Sequence, residues 1–451
     1  MNTPTSAGLA RRLLAGLGTR ACVLALSACA STRTVDGPDT LAIPASPTPP
    51  SAHIVLADRE GQQVMSGPHD VVAKPVPSKV PASRVEARAS SEARIGDVLT
   101  LQWQDAAWAK LGFEWNRPTD LRPFLAEGVV EFDVDALDMA HAGLTFEVGC
   151  GAGCGRRLPW VVPSRALVGQ GWRHLSIALR CFARDGDDFS AVTQAFSLES
   201  SGSGEAAIAN LRFVRHGQGN VDCPDYRTQS ITPRPLEHVW AMDWWMPRHD
   251  QKLAEIATLR AAHVEPELVF IGDSITQGWE KAGASVWQAN YAKFRALNLG
   301  FSGDHTENVL WRLQHGELDG IRPKVVVVMI GTNNLGERQE AVETTAAGLR
   351  RVLDEIRARQ PQARILLLGL LPRDALPDAP IRSAHARLNK IIATFADERT
   401  IFFLDIGGAM TNADGTLTRD VMPDLLHPAE KGYAIWAAQM APSLQCLLDL
   451  R

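Results

Sequence analysis

The sequence of 451 residues predicts two folded units of different class, an all-β unit over residues 94–216 and an α/β unit over residues 238–451. In the first unit, short segments such as "VVEFDVDAL" and "LTFEVGC" alternate apolar and polar residues between Gly-, Asp- and Ser-rich turns. This pattern is typical of an antiparallel sandwich or jelly roll. In the second unit, continuous apolar runs such as "VVVVMIG" alternate with helical patterns, which predicts a doubly wound parallel sheet.

The N-terminal segment predicts export. Arg11 and Arg12 precede an Ala/Leu-rich apolar stretch that is too short to remain as a membrane-spanning helix. Its last residues, "LSAC", resemble the bacterial lipobox, whose Cys is lipidated and becomes the mature N-terminus. We therefore expect residues 1–29 to be a lipoprotein-type signal peptide, with acyl chains on Cys29 holding the protein to a membrane of the bacterial envelope, periplasmic or outer. The alternative is a plain secretory signal and a periplasmic or secreted protein.

Residues 30–93 are rich in Pro, Ser and Ala, as in "PASPTPPSA" and "KPVPSKVPAS". A segment of this composition has too little apolar surface to offset the entropy lost on ordering. We expect a disordered tether that lets the folded units reach away from the membrane. A shorter linker, residues 217–237, is expected between the two units.

Export also permits disulfides. Cys150, Cys154 and Cys181 cluster in the all-β unit, and Cys223 and Cys446 follow. No His follows the cluster at the spacing of a zinc ligand, so a disulfide is favoured over a zinc site. Cys150 and Cys154 are close enough for a small loop, but Cys181 could pair with either, and the pairing stays open.

The tryptophans of the all-β unit allow two interpretations. Flat indoles suit the apolar faces of pyranose rings and could form a sugar-stacking platform, whereas most buried Trp residues only fill a core. Trp244 and Trp245, near the start of the second unit, are interpreted as packing residues. The platform candidates are Trp103, Trp108, Trp115, Trp160 and Trp172.

Polar groups that acyl transfer requires follow the apolar runs of the second unit. Ser274 comes directly after the run "LVFIG", Gly303 follows the second run, and Asn333 follows the third. Past the last run, "PDLLHPAEKGY" contains Asp424 and His427. Because the carboxyl ends of parallel strands meet at one edge of a sheet, we expect these groups to converge there.

The residue types fit a serine nucleophile and its supporting groups. The hydroxyl of Ser274 needs a base to take its proton, and His427 is the candidate. Asp424 would fix the tautomer of that imidazole and stabilise its protonated form. The backbone N–H groups of Ser274 and Gly303 and the side-chain amide of Asn333 are candidate oxyanion donors. The alternative role of Ser274 is that of a helix N-cap.

Neighbouring polar residues are expected to support the site. Asp273 is interpreted as structural, and Asp304 and Asn334 as braces of the oxyanion loops. No H-E-x-x-H motif or carboxylate cluster indicates a metal site, and a net charge of -5 gives no indication of nucleic-acid binding. Three histidines are expected at the surface or behind the site rather than as ligands: His305, His315 and His385.

The Ser, Gly, Asn and His blocks resemble those of the SGNH, or GDSL, hydrolase superfamily. Over residues 240–448, including "GFSGDHTENVLWRLQHGELDGIRPKVVVVMIGTNN", the sequence resembles most closely the catalytic subunits of intracellular platelet-activating-factor acetylhydrolase. The resemblance implies a flavodoxin-like three-layer α/β/α fold without a metal or organic cofactor. It also implies a small acyl pocket at Ile275, Thr332 and Leu426, which would favour acetyl groups. The related subunits dimerise, so a homodimer is a further expectation.

The all-β unit resembles another family. The stretch "CGAGCGRRLPWVVPSRALVGQGWRHLSIALRCF" is similar to the C-terminal β-sandwich of certain bacterial family-3 exo-β-glucosidases. Those modules have a galactose-binding-like fold and accompany enzymes that act on glucans. The resemblance therefore implies a jelly-roll accessory domain that contributes no catalytic group.

Three functions follow as hypotheses. The leading one is a serine esterase that removes acetyl groups from a polysaccharide or oligosaccharide. The second is a lipid, lysophospholipid or platelet-activating-factor-like acetylhydrolase, which would suit a membrane-anchored chain. The third is a carbohydrate-binding surface lipoprotein with a vestigial hydrolase unit.

Overall fold

The computed structural model describes residues 39–42, 52–58, 62–65, 83–92, 95–150, 154–223 and 225–449. The predicted signal peptide and Cys29 lie outside these residues. Within the described ranges, no helix combines the length and the apolar character that crossing a bilayer requires.

The first unit is an antiparallel β-sandwich built on two long strands, β5 and β10, which pair with each other over most of their length. The first half of β5 pairs with β4 and its second half with β2. Strand β10 pairs in the same divided way with β7 and then with β6. In chain order the strands are β1 (Thr40–Ala42), β2 (Ala52–Asp58), β3 (Gln62–Met65), β4 (Arg84–Glu92), β5 (Gly96–Thr119), β6 (Val129–His141), β7 (Leu144–Gly149), β8 (Gly155–Trp160), β9 (Arg173–Ala178) and β10 (Val192–Val214).

The core of the sandwich follows from the alternation seen in the sequence. Strand β6 buries every second residue over most of its length. The rings of its Phe132, of Phe146 in β7 and of Phe196 in β10 pack together, with pairwise centroid distances of 4.8 to 5.6 Å. Aromatic rings at this spacing pack favourably beyond the area they bury. The all-β prediction is confirmed.

The predicted disordered tether over residues 30–93 is wrong for its described segments. Strands β1 to β4 all lie within it, and β2 is buried along most of its length because it pairs with β5. The run "HIVLA" supplies an apolar strand that the surrounding Pro- and Ser-rich composition obscures. The sandwich therefore begins earlier than the predicted boundary at residue 94.

Two disulfides are present in the described part of the chain. Cys150 pairs with Cys154, with Cα atoms 5.2 Å apart, and Cys181 pairs with Cys223, with Cα atoms 5.6 Å apart. The predicted competition among Cys150, Cys154 and Cys181 is thus resolved by Cys223, a partner outside that cluster. The second disulfide fastens the start of the connector, the segment of residues 215–223 and 225–244 between the two units, to the sandwich.

Most of the candidate Trp platform belongs to the core. Trp103, Trp115 and Trp160 are 2, 7 and 8 % exposed and join the main apolar cluster of the sandwich. Trp108 and Trp172 are half-buried and donate hydrogen bonds to Glu side chains. The five indoles therefore do not form one exposed platform.

The second unit is a five-stranded parallel sheet in the order β12-β11-β13-β14-β15, which is the flavodoxin-like order expected for this class. Its strands are β11 (Leu268–Gly272), β12 (Leu297–Gly300), β13 (Val325–Met329), β14 (Arg364–Leu368) and β15 (Ile401–Leu404). Strands β11 to β13 are buried throughout, as the continuous apolar runs predict.

Helices connect the parallel strands and pack in two neighbouring groups, α5 with α7 and α8, and α4 with α9. The predicted doubly wound α/β fold is confirmed. The helices of the described chain are α1 (Val161–Ala166, in the sandwich), α2 (Trp245–Ala261), α3 (Ser274–Gln277), α4 (Ala284–Asn290), α5 (Thr306–Gln314), α6 (Thr332–Gly336), α7 (Val342–Arg359), α8 (Pro380–Ala393) and α9 (Glu430–Asp449).

Candidate active site

Ser274 stands at the sharp turn from β11 into α3. Gly272 closes the strand where the backbone approaches α3 so closely that a Cβ would lie 2.2 Å from Oγ1 of Thr276. Asp273 is the N-cap of α3, and its Oδ1 accepts a hydrogen bond of 2.9 Å from the N–H of Ile275. The capping role therefore belongs to Asp273, which leaves the Ser274 hydroxyl available for another contact.

Ser274, His427 and Asp424 form one hydrogen-bonded chain. Oγ of Ser274 lies 2.8 Å from Nε2 of His427, and Nδ1 of His427 lies 2.6 Å from Oδ2 of Asp424. In this arrangement Nδ1–H donates to the carboxylate and Nε2 accepts from the hydroxyl. The geometry allows the imidazole to take the hydroxyl proton while the carboxylate stabilises the positive ring.

The loop that holds His427 is shaped by Asp424 itself. Oδ1 of Asp424 accepts hydrogen bonds from the backbone N–H groups of Leu426 and His427, at 3.0 and 2.7 Å. Leu425, between Asp424 and Leu426, adopts a φ of 64°, in the left-handed region that non-glycine residues rarely occupy. Burial acts to raise the pKa of Asp424, but hydrogen bonds from His427 and Leu426 outweigh it and lower that pKa. The carboxylate is therefore ionised at neutral pH.

Burial has the opposite result at Asp273. This side chain is 1 % exposed, and the loss of hydration raises the pKa of Asp273 to about 7, although the hydrogen bond from Ile275 acts to lower it. Its direct contact is with backbone rather than with His427. The structural role predicted for Asp273 agrees with this geometry.

The candidate oxyanion donors come from two loops that are bonded together. Gly303 has a φ of 81°, and a Cβ on it would lie 2.4 Å from Cη2 of Trp240, so only glycine fits beneath that indole. Nδ2 of Asn333 donates a 2.9 Å hydrogen bond to the backbone carbonyl of Asp304. This bond fixes the amide of Asn333 next to the Gly303 loop.

Asp304 anchors its loop from below. Its Oδ1 accepts from Nε1 of Trp245 at 2.7 Å and its Oδ2 from Nε of Arg312 at 2.8 Å, and Arg312 also pairs with Glu317. Trp245, Asp304, Arg312 and Glu317 are almost fully buried. Buried charges of this kind are stabilised only by complete pairing, so this network holds the loop in one position.

Asn334 links the segment after β13 to its neighbours. Its Nδ2 lies within hydrogen-bonding distance of Ser230 Oγ, Thr306 Oγ1 and Glu340 Oε2, and its Oδ1 accepts from the N–H of Thr306. Ser230 belongs to the connector, which therefore packs against the catalytic unit. The bracing roles predicted for Asp304 and Asn334 fit these contacts.

The residues of the expected acyl pocket are placed at the same edge. Ile275 and Thr332 are 3 and 2 % exposed, and Leu426 is half-buried. Oγ1 of Thr332 lies 3.4 Å from Nε2 of His385, whose Nδ1 lies 2.9 Å from the carbonyl of Leu371. Burial lowers the pKa of His385 to about 4, so this ring stays neutral behind Thr332. The acyl pocket itself stays a prediction.

An open cleft of about 610 Å³ adjoins the His427 side of the hydrogen-bonded chain. Its lining combines charged and apolar groups, including Lys281, Ala282, Ser285 and Pro428. Asp424 and His427 also line this cleft, so both side chains are reached from solvent.

Two features near the site escaped the sequence analysis. Trp240 of the connector is 49 % exposed, stacks on Trp244 with ring centroids 5.9 Å apart, and covers Gly303. His305, expected at the surface or behind the site, is buried, and its closeness to His238 and Glu337 was not predicted. The only sequence signal was the aromatic-rich "HVWAMDWW" at the start of the second unit.

Comparisons with known proteins agree with the fold. A family model described as GDSL-like lipase/acylhydrolase matches residues 270–435, and one described as galactose-binding domain-like matches residues 65–213. Platelet-activating factor acetylhydrolase IB subunit alpha1 of Bos taurus is 39 % identical over 202 residues, which cover 45 % of this chain and 82 % of the relative. The alpha2 subunit of Rattus norvegicus is 36 % identical over 203 residues, which cover 45 % of this chain and 84 % of the relative.

Solved structures also match. A GDSL-like lipase from Bacteroides thetaiotaomicron matches with a TM-score of 0.36 and 22 % identity, covering 43 % of this chain and 97 % of that one. An acetylxylan esterase from Geobacillus stearothermophilus matches with a TM-score of 0.34 and 21 % identity, covering 41 % of this chain and 94 % of that one.

The fold and the matching family model define a carboxylic ester hydrolase. The chain belongs to the GDSL, or SGNH, lipase/acylhydrolase family and is related within it to the platelet-activating factor acetylhydrolase IB alpha subunits. A galactose-binding-like domain precedes the hydrolase domain.

Proposed function

We propose that this chain is a serine esterase that hydrolyses acetyl esters of carbohydrates, with Ser274 as nucleophile, His427 as base and Asp424 as the group that orients the base. The observation that carries the proposal is the continuous hydrogen-bonded chain, 2.8 Å from Ser274 to His427 and 2.6 Å from His427 to Asp424. Both distances are within the range that proton transfer to and from a positioned base requires.

The reaction proceeds in two halves. Oγ of Ser274 attacks the carbonyl carbon of the ester as its proton moves to Nε2 of His427, and the carbonyl oxygen becomes an oxyanion. The imidazolium then gives the proton to the sugar oxygen as the bond from this oxygen to the carbonyl carbon breaks, which releases the sugar hydroxyl and leaves an acetyl ester on Ser274. Water attacks this ester, gives a proton to His427, and releases acetate as Oγ regains its hydrogen.

Three donors would stabilise the oxyanion in both halves: the backbone N–H groups of Ser274 and Gly303 and the amide of Asn333. The bond from Asn333 to the carbonyl of Asp304 fixes the amide before substrate arrives. Donors that are already in place need no reorganisation when charge develops, which is why one such group typically contributes about 10²- to 10³-fold in rate.

Two observations support a carbohydrate acceptor. The exposed indole of Trp240 covers Gly303, stacks on the half-buried Trp244 and offers a flat apolar surface at this loop. Indole faces of this kind suit the C–H faces of sugar rings. The galactose-binding-like domain gives the chain a second surface of a class associated with sugars.

The second candidate is an acetylhydrolase of a lipid ester. It is favoured by the relationship of the hydrolase domain to the platelet-activating factor acetylhydrolase IB subunits. In both candidates the acyl group is acetyl, so the two differ only in the alcohol that departs.

A screen for released acetate separates the candidates. The full chain and its Ser274→Ala variant are incubated with acetylated xylan, acetylated xyloglucan oligosaccharides and acetylated phospholipid vesicles. Release from the glycans that exceeds release from the vesicles by tenfold or more, and that Ser274→Ala abolishes, is the expected result. Release of acetate from the vesicles alone would contradict the carbohydrate ester and support the lipid ester as substrate. Faster cleavage of para-nitrophenyl decanoate than of the acetate would contradict both.

A further inference from the structure

A second cluster of histidine and carboxylate groups lies beside the candidate oxyanion loops. It consists of His238 at the end of the connector, His305 at the N-cap of α5 and Glu337 directly after α6. Nε2 of His238 lies 3.5 Å from Oε1 of Glu337, and Nε2 of His305 lies 3.8 Å from Oε2 of the same carboxylate. One ligand atom from each residue lies within 4.8 Å of the other two.

His305 supplies an independent indication of a ligand. Its side chain is 4 % exposed, yet its Nε2 has no hydrogen-bond partner within the described residues. A buried polar atom without a partner loses its hydrogen bonds to water and gains none in return, so such atoms are rare in native proteins. This nitrogen points into the space that His238 and Glu337 also border, where a ligand shared by all three would satisfy it.

The surrounding charges leave the carboxylate of Glu337 available. The neighbouring Arg338 pairs with Glu307 and, at 3.3 Å, with Glu340. Arg157, whose charge is felt electrostatically at His238, pairs with Glu199 at 2.6 Å. Within the described residues, the only ion-pair partners of Glu337 are the two imidazoles.

We propose that His238, His305 and Glu337 together bind one divalent cation of the zinc type. Two imidazole nitrogens and one carboxylate oxygen are a recurrent zinc ligand set, with metal–ligand bonds of about 2.0 to 2.2 Å. A tetrahedral ion with such bonds separates its ligand atoms by about 3.3 Å. The observed separations of 3.5 and 3.8 Å to Glu337 therefore need a contraction of about 0.2 to 0.5 Å, and the imidazole nitrogens, which lie within 4.8 Å of each other, approach by up to about 1.5 Å.

The position of the site gives the ion a role. His305 is two residues after Gly303, Glu337 is four residues after Asn333, and His238 is two residues before Trp240. An ion at the cluster joins the connector to both loops that carry the candidate oxyanion donors. The three residues are positioning residues rather than catalytic ones, because none of them contacts the Ser274–His427 chain. The Glu337 side of the site is open to solvent, since this side chain is 44 % exposed, so a water can complete the coordination of the ion.

The test measures metal binding directly in the full chain. A Cys446→Ser parent removes the exposed free thiol, which could bind zinc on its own. After chelator treatment, zinc is titrated against a chromophoric indicator into the parent and into His238→Ala and Glu337→Gln. His216→Ala and Glu343→Gln are the matched controls, since both residues are exposed and lie outside the cluster.

The parent is expected to bind one zinc per chain more tightly than its cluster variants by at least about tenfold, while both controls keep the parent affinity. Zinc should raise the thermal unfolding midpoint of the parent by several degrees and leave that of Glu337→Gln unchanged, because only the native parent offers the site. X-ray absorption of the loaded parent should show nitrogen and oxygen ligands at about 2.0 to 2.2 Å.

Two results would overturn the proposal: less than one tight zinc per parent chain, or an affinity that neither cluster variant lowers. Glu337→Gln preserves size at a half-exposed position, so it decides the question even where His238→Ala fails to fold. Esterase activity plays no part in the readout, which keeps this test independent of the proposed function.

Discussion

Two histidine–carboxylate groups flank the same pair of loops, and their geometry differs in one respect. At His427 both ring nitrogens have partners, 2.6 Å from Asp424 and 2.8 Å from Ser274. At His305 the buried Nε2 has no hydrogen-bond partner in the described chain, and the nearest carboxylate oxygen, on Glu337, is 3.8 Å away. Contacts at hydrogen-bonding distance prepare a proton for transfer, whereas lone pairs held further apart around one space are suited to an ion.

Burial reinforces the difference. The side chain of His427 is 42 % exposed and that of His305 is 4 % exposed. Loss of hydration lowers the pKa of His305 to about 3, so the ring stays neutral over the physiological range. Asp424, whose pKa is lowered, remains a carboxylate that can stabilise a protonated His427. The same residue types therefore serve different chemistry according to spacing and solvent.

The largest effect is expected at the hydrogen-bonded chain. Ser274→Ala and His427→Ala should each reduce kcat for para-nitrophenyl acetate by about 10⁴-fold or more, because each removes the nucleophile or its base. The double variant should lose no more than either single variant, since the two act as one unit. His315→Gln, at an exposed histidine bonded to the carbonyl of Trp311, is the control and should keep kcat within twofold. Additive losses in the double variant would contradict a shared mechanism.

The next largest loss of activity is expected at Asn333, in one of the two loops that carry the candidate oxyanion donors. Asn333→Ala should lower kcat by about 10²- to 10³-fold with little change in KM, because the amide contacts charge that exists only in the transition state. Asn412→Ala, at an exposed Asn that bonds Thr416, is the matched control. A rise in KM without a loss of kcat would assign Asn333 to substrate binding instead.

The sequence predicted the first histidine group and missed the second for physical reasons. Ser274, Gly303 and Asn333 each follow an apolar strand, and parallel strands must bring their ends together. Asp424 and His427 are three residues apart, so a single turn delivers both. Each of these positions could therefore be inferred from local pattern and one rule of topology.

The second histidine group and strand β2 depend on contacts between distant residues, which no local sequence pattern encodes. His238, His305 and Glu337 are widely separated and meet only because the connector packs against the α/β unit, with Ser230 bonded to Asn334. Strand β2 was obscured by its Pro- and Ser-rich flanks and becomes a strand because β5 offers it an edge.

A smaller effect tests how burial controls titration at the site. Asp273 ionises near 3.8 when unfolded and near 7 when folded, so ionisation costs the folded state. Wild-type stability relative to Asp273→Asn should therefore fall as pH rises from about 4 to 7, by about 2 to 4 kcal/mol, and level off above pH 8. Urea unfolding across this pH range measures the difference.

Asp397 provides the control of opposite sign for that measurement. Hydrogen bonds from Ile401 and Thr400 outweigh burial and lower the pKa of Asp397. Wild-type stability relative to Asp397→Asn should therefore be present above pH 4 and be lost as the pH falls. The same slope for both variants would show that burial does not govern Asp273.

The smallest expected effect is at Trp240, which lies over Gly303 and next to His238. Trp240→Ala should raise KM for acetylated oligosaccharides by about three- to tenfold, which corresponds to about 0.7 to 1.4 kcal/mol of lost contact with a sugar ring. Trp240→Phe should recover part of this loss because it keeps a flat face. The activity on para-nitrophenyl acetate should change by less than twofold, since the small alcohol does not reach the indole.

Trp172→Ala, at a half-buried Trp of the sandwich that bonds Glu92, is the control. An equal rise in KM in this variant would contradict a sugar contact at Trp240. An equal loss on both substrates would instead mean that the indole acts by holding the Gly303 loop in place.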